Sequence, residues 1–412
     1  MNQKEQGIFS LTVIVGALGF FVDIFDLLLF NIIRKPSLTS LGLSPQDVLI
    51  QGENILSWQM IGQLLGGILW GMMGDKKGRL SVLFSSIILY SVASIANGFV
   101  TDPHQYLILR FVAGFGLAGE LGASITLVSE MLSKEKRGIA STIIATTGVL
   151  GAITAYFVFK LSNDNWRLCY FVGGGMGILL LLLRVSVMES SMFAKLKETN
   201  VHRGNFFMFF NNKERFLRYM RGIIIGLPVW YMIGVLITFS DQFGKEMGIE
   251  NVDPAKALLF QYAALVLGDV SAGLLSNYIK SRRKTLFIYY GISSVFMLLY
   301  FLQNGGNATN MYLICAGLGL GSGISVLYIT MSAEQFGTNL RATAAISIPN
   351  MVRGALPLVL LLFKGIRSVT NNYFTGGWIC GLIVMSFAVI AAYNTKESYG
   401  KDLNFIETLF LI

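Results

Sequence analysis

The chain has 412 residues, of which 54% are hydrophobic and only 13% charged, and its formal net charge is +9. A soluble domain carries about 25% charged residues, so this composition excludes a soluble globular protein. The positive excess needs no nucleic acid partner if it lies in loops at a membrane surface.

Apolar runs of about 20 residues recur along the chain, each long enough to cross a ~30 Å hydrocarbon core. Spans are expected near 9–33, 55–74, 80–100, 106–131, 138–160 and 168–188, then near 221–240, 255–279, 285–303, 310–332, 341–363 and 373–394. The first run contains "GFFVDIFDLLLFN", which sets Asp23 and Asp26 in an apolar segment. It is too long for a signal-peptide core and shows no small-residue cleavage site, so it is expected to be retained. Spans 2 and 3 are joined by "GMMGDKKGRLS", Gly71 to Ser81. Gly71 allows close helix approach, Gly78 permits a tight turn, and Lys76 and Arg79 suit an anionic leaflet.

Span 4 reads "RFVAGFGLAGELGASITLVSEMLSKEKRG", with Arg110 near its start and Glu120 among Gly114, Gly116, Gly119 and Gly122. Span 5, "IIATTGVLGAITAYF", has no proline. The longest polar stretch, 189–220, follows span 6 and divides the chain into 1–188, a linker, and 221–412. Within it "NFFMFFNNKERFLRYMR", Asn205 to Arg221, is expected to be an amphipathic helix on the inner leaflet. Span 7 carries Trp230 and Tyr231 after Pro228, span 8 carries Asp269, and span 11 carries Asn350 and Arg353 before Pro357. Cys169, Cys315 and Cys380 all fall in apolar runs, which reads as packing rather than a metal or disulfide framework.

With the N-terminus in the cytoplasm, 22 of the 32 Lys and Arg fall on the cytoplasmic side. That bias predicts both termini inside, in an inner membrane. The halves also echo each other. Glu130 and Arg137 recur as Glu334 and Arg341 at an offset of 204, and Glu189-Ser190 recurs as Glu397-Ser398 at 208. Such repeats mark transporter halves that rock about a midplane site.

These features together resemble the major facilitator superfamily. The loop holding Gly71, Asp75, Lys76, Gly78 and Arg79 is similar to its signature loop, and span 4 to its fourth-helix motif. "GFFVDIFD", Ala118-Gly119-Glu120, "NWRLCYFVGG" and "RVSVMESSMF" resemble the branch of metabolite–proton, sugar and phosphate symporters. Two departures stand out. Leu121-Gly122 replaces the branch's Tyr-Pro, and "GLLSNYIKSRRK" lacks the Asp-x-x-Gly-Arg core in the second half. The resemblance implies an all-α polytopic fold of twelve helices in two six-helix bundles, alternating access, no enzyme chemistry, no cofactor and no metal.

Intramembrane charges are functional candidates because each costs at least ~2.5–3.5 kcal/mol at a helix centre. Asp23 and Asp26, three apart, share a helix face and repel, which makes them candidates with Glu120 for carrying protons. Both histidines lie in loops, which leaves proton work to carboxylates. Arg110, Glu120, Trp230, Tyr231, Asp269, Asn350 and Arg353 are candidate substrate contacts. Arg110 can instead neutralise a span-1 aspartate, and Arg353 can pair with Asp269. A nucleotide-driven pump is disfavoured because no Gly-Lys-Ser phosphate loop is present.

The leading reading is a monomeric proton-coupled symporter, in a lipid bilayer, importing a small anionic metabolite: a carboxylate, amino acid or phosphate. The alternative is a proton-driven exporter of an amphipathic drug or siderophore, disfavoured by the missing span-5 proline kink. A transporter-like receptor is a third reading, disfavoured by short tails.

Overall fold

The structure is a computed structural model, described for residues 7–186 and 204–407, apart from the side chains of residues 49, 134 and 135. The expected linker boundary near 189 and the Glu189-Ser190 motif lie outside the described residues.

Among the described residues, eleven helical segments are long and apolar enough to cross a membrane. Span 1 is Leu11–Ser40, span 3 Arg79–Asn97, span 4 Pro103–Met131, span 5 Lys136–Leu161 and span 6 Trp166–Leu183. Span 7 is Lys213–Ile237, span 8 Pro254–Ile279, span 9 Arg282–Phe301, span 10 Ala308–Glu334, span 11 Arg341–Thr370 and span 12 Tyr373–Tyr393. The twelfth crossing, span 2, is the 33-residue helix Pro45–Lys77. At 1.5 Å per residue it is roughly 50 Å long. Its buried Gln59 and Gln63 are the polarity that separates it from its neighbours.

Helix starts are written in side chains. Ser44, Asp102, Asn165, Asn212, Asp253, Ser281, Asn307 and Asn372 each accept a backbone N–H of the first turn. Pro45, Pro103 and Pro254 occupy the first helical position, where the missing N–H costs nothing. Spans 2 and 3 are separated by Gly78 alone, at φ 105°, a backbone geometry that strains any residue with a Cβ.

Two spans break at matching places. Span 4 is interrupted at Ala118-Gly119 and span 10 at Ser322-Gly323, again 204 residues apart. Span 7 loosens into a π turn over Met232–Ile237, just beyond Pro228. The halves meet along two seams, span 2 on span 11 and span 5 on span 8. Small residues set the approach: a Cβ on Gly71 would stand 2.9 Å from Thr343 Cα, and one on Gly74 3.1 Å from Ala342 Cβ. The end holding the signature loop is called the inner end below.

Asn205–Arg221 does not form one interfacial helix. Residues Phe206–Phe209 make a single 3-10 turn, and a new helix starts at Lys213 and runs on as span 7. Asn212 fixes that start by accepting from Arg215 N at 3.0 Å. Phe209 is buried, stacked 4.4 Å from Tyr219 and 5.3 Å from Phe336, so protein rather than lipid covers it.

Candidate functional site

Three carboxylate–guanidinium pairs stack along span 1, about one helical turn apart. Outermost, Asp26 accepts from Arg110 Nη1 at 3.1 Å and from Ser94 Oγ at 2.7 Å. Arg110 Nη2 also reaches the Asp26 carbonyl at 2.9 Å, and its Nε reaches Gln59 Oε1 at 3.3 Å. Innermost, Glu120 is held by both terminal nitrogens of Arg184, with Nη1–Oε2 at 2.9 Å, and Arg184 Nη1 also donates to Leu83 O at 2.8 Å. Gly19 makes room for this pair, since a Cβ there would fall on the Glu120 carboxylate and the Arg184 guanidinium.

The middle pair is different. Asp23 Oδ2 meets Arg353 Nη1 at 3.5 Å, and its other oxygen is buried without a hydrogen-bond partner among the described residues. This is the pair of the three that joins the two halves. The Arg353 guanidinium sits 5.9 Å from both the Phe20 and Trp230 ring centres. Asp23 and Asp26 therefore diverge to separate arginines instead of sharing one proton site. Arg353 pairs with Asp23 rather than Asp269.

The remaining candidates spread out. Asp269 is buried, accepts from Ser325 Oγ at 2.6 Å, and has no ion pair among the described residues. Asn350 donates to Ala118 O at 2.7 Å, the carbonyl freed by the break in span 4, and its own Oδ1 has no partner among the described residues. Trp230 faces Arg353, but Tyr231 does not line the same space. Its hydroxyl donates to Gly377 O of span 12 at 2.6 Å, because successive helical residues point about 100° apart.

The signature loop forms a lock at the inner end. Asp75 accepts from Ala342 N, Thr343 N and Thr343 Oγ1 at 3.2, 2.8 and 2.6 Å, capping the first turn of span 11 across the seam. Arg79 reaches Glu130 at 2.7 Å, and Glu130 also holds Arg341 of the other half at 3.2 Å. Arg137 donates to Leu132 O at 3.1 Å, and Lys76 is exposed. In the second half Arg282 meets Glu334 at 3.0 Å, as Arg79 meets Glu130. The loop "GLLSNYIKSRRK" thus lacks the aspartate and glycine of its first-half counterpart but keeps a working arginine.

Arg184, which follows the apolar run of span 6 in the sequence like a loop cation, and Gln63 are not among the candidates the sequence singles out. Both are buried, and both side-chain amide atoms of Gln63 lack a partner among the described residues. Gln63 lies one turn from Gly67, the residue on which Asn350 is seated. The signal for Arg184 was Glu120 itself, since an ionised carboxylate buried without a cation is costly.

The sequence profile of the Major Facilitator Superfamily matches residues 16–360. A Bacillus subtilis protein named for niacin and nicotinamide transport is 28% identical over 80% of this chain and 82% of its own. The cis,cis-muconate transport protein of Acinetobacter baylyi is 23% identical over 92% of this chain and 94% of its own. Among solved structures, the proton:xylose symporter XylE shares the fold with a TM-score of 0.73 at 16% identity, covering 96% of this chain and 97% of that one.

Proposed function

The chain belongs to the Major Facilitator Superfamily, and from that premise we propose that it is a proton-coupled symporter importing a small organic carboxylate. It is a multi-pass secondary transporter. The finer reading rests on one observation: the central cation, Arg353, is tied to the other half by a single 3.5 Å contact to Asp23, whose second oxygen has no partner.

Such a pair can exchange partners. A proton on Asp23 neutralises it and frees the guanidinium, which then takes the carboxylate of the substrate. One proton and one negative charge enter together, so Arg353 is never left unpaired in low dielectric, where an uncompensated charge is costly. A guanidinium also suits a planar carboxylate, which it can grip through two parallel hydrogen bonds. The Phe20 and Trp230 faces beside Arg353 favour a flat, unsaturated or aromatic acid. Niacin and cis,cis-muconate, which name two relatives, are both carboxylic acids of that shape. Asn350 Oδ1 and Gln63 offer polar groups for the rest of the molecule. The same proposal includes a monomer in the inner membrane, the inner end and both termini cytoplasmic, and bundles at 1–188 and 221–412 joined by 189–220.

The test is binding to the purified protein. Nicotinate and cis,cis-muconate should raise thermal stability, by about 2.7 kcal/mol at 100 times Kd, and each binding event should take up a proton from weakly buffered solution. Stabilisation by nicotinamide equal to that by nicotinate, or binding with no proton uptake, would sink the reading.

A further inference from the structure

Asp269 takes no part in the exchange just described, yet it is the buried acid whose surroundings are most unusual. Asp26, Glu120 and Asp23 each have an arginine. Asp269, 1% exposed, has the Ser325 hydroxyl and the Val326 backbone N–H. A carboxylate without a counter-ion in a membrane interior is a functional group by default.

Its place in the fold says what it does. Spans 5 and 8 run antiparallel along the second seam, and two close approaches fix their register. A Cβ on Gly138 would meet the Asn277 side chain, and one on Gly273 the Thr142 side chain. Four residues along span 5 brings Thr142 to Thr146, and four back along span 8 brings Gly273 to Asp269. The same step therefore sets Thr146 opposite Asp269. The Thr146 hydroxyl is buried and has no hydrogen-bond partner among the described residues. An acid without an ion pair and a hydroxyl without a hydrogen-bond partner, among the described residues, thus hold matching register positions on the two sides of the seam, one turn outward of the Gly273–Thr142 approach. Ser325 supports Asp269 from span 10, directly beyond the break at Ser322-Gly323.

We infer that Asp269, with Ser325 and Thr146, is a second proton-exchange site, in the second half, opened and closed by the span 5–span 8 seam. With the seam shut, Asp269 holds its proton and is neutral in the dry interior. When spans 5 and 8 part, water reaches the carboxyl and the proton leaves. The groups facing it from neighbouring elements fit a neutral acid. Tyr289 of span 9 is tied to Ser271 at 2.6 Å. Tyr262 of span 8 and Tyr328 of span 10 lie within electrostatic reach of both Asp269 and Arg353. Arg353 itself is committed to Asp23. The inference rests on the symport reading and extends it: one proton with a monocarboxylate is electroneutral, whereas a second proton makes each cycle carry one net positive charge.

The experiment is a pH-titrated infrared difference spectrum of the full chain in lipid, read at the protonated-carboxyl stretch. Wild type should show two titrating components. Asp23→Asn should remove one, Asp269→Asn the other, and Ser325→Ala, which keeps the acid if Asp269→Asn folds poorly, should move the midpoint of the second. An unchanged spectrum in Asp269→Asn, or an unmoved midpoint in Ser325→Ala, overturns the inference. A lost Asp269 component with no Asp23 component would overturn the exchange reading and leave this one standing. Displacement of the Asp269 proton by sodium at fixed pH would also overturn it, in favour of a metal-cation site.

Discussion

Thr343 of the second half donates to Asp75 of the first through both its backbone N–H and its hydroxyl, at 2.8 and 2.6 Å. The donors belong to the first turn of span 11, so one carboxylate satisfies orphan helix groups and binds the halves at the same time. A hydrogen bond to a charged group is worth about 1.5–3 kcal/mol. Asp75→Ala should therefore shift the equilibrium towards the inner-open state by about 10- to 100-fold. Substrate affinity at the central site should change little. Accessibility of a cysteine in Ser347→Cys, compared with and without Asp75→Ala, reports the shift. Weakened binding with unchanged accessibility would place Asp75 in the pocket instead.

Gly122 should act in the same direction. A Cβ at this position would fall within contact distance of the Ala345 carbonyl and the Ile346 backbone, and backbone cannot step aside as a side-chain tip can. Gly122→Ala should cost about 1–3 kcal/mol through overpacking, spent on keeping spans 4 and 11 apart. The same Ser347→Cys assay should show an opened inner end. Closure and thermal stability equal to wild type would mean that the seam is looser than these approaches imply.

How much of this was legible in the sequence depends on what sets each feature. The twelve spans and the two-half fold follow from apolar run length, and the signature loop from a motif. Partners of the buried charges depend on helix rotation and tilt, which the sequence does not display. Asp23 and Asp26 share a helix face, yet small differences in azimuth carry one to Arg353 and the other to Arg110. Arg184 stands at the end of span 6 and looks like one more loop cation until the fold brings it to Glu120. Arg282 hides in a loop whose Asp and Gly are gone, and only its ion pair with Glu334 shows that it matches Arg79. The segment at Asn205–Arg221 was misleading for another reason: a basic, Phe-rich stretch suits a lipid surface, but Tyr219 and Phe336 cover Phe209 first.

A pH effect is expected at the inner end, outside the spans. Burial alone would raise the Glu397 carboxyl, but the Ser281 hydroxyl and the backbone N–H groups of Tyr399, Arg282 and Arg283 outweigh it and hold the group below its usual range. A folded-state value lowered in this way stabilises above the unfolded carboxyl range, about 4.3. That stability is lost as pH falls through the folded value. Wild-type Tm should drop on acidification below about pH 4.3 more steeply than that of Glu397→Gln. Parallel curves would show that Glu397 does not anchor the start of span 9.

The three acids along span 1 should separate under substitution. In Asp26→Asn and Glu120→Gln a buried arginine, Arg110 held also by Gln59 and the Asp26 carbonyl or Arg184 held also by the Leu83 carbonyl, keeps its place but loses its counter-charge in a site closed to water. Breaking a buried pair costs about 3–5 kcal/mol, so both variants should lose thermal stability and folded yield, whatever they do to transport. Asp23 faces a single long contact and has an unpaired oxygen, so its loss should cost less stability. Asp23→Asn mimics the protonated acid and leaves Arg353 permanently ready for a carboxylate. That variant should bind nicotinate at least as tightly as wild type, with no proton uptake linked to Asp23. It should still exchange labelled for unlabelled nicotinate across a liposome membrane, because exchange never requires the empty carrier to reset its proton. Accumulation of nicotinate in response to a pH gradient should fall below wild type, to what the proton at Asp269 alone can drive. Uptake as concentrative as wild type in Asp23→Asn would mean that no driving proton is carried beside Arg353.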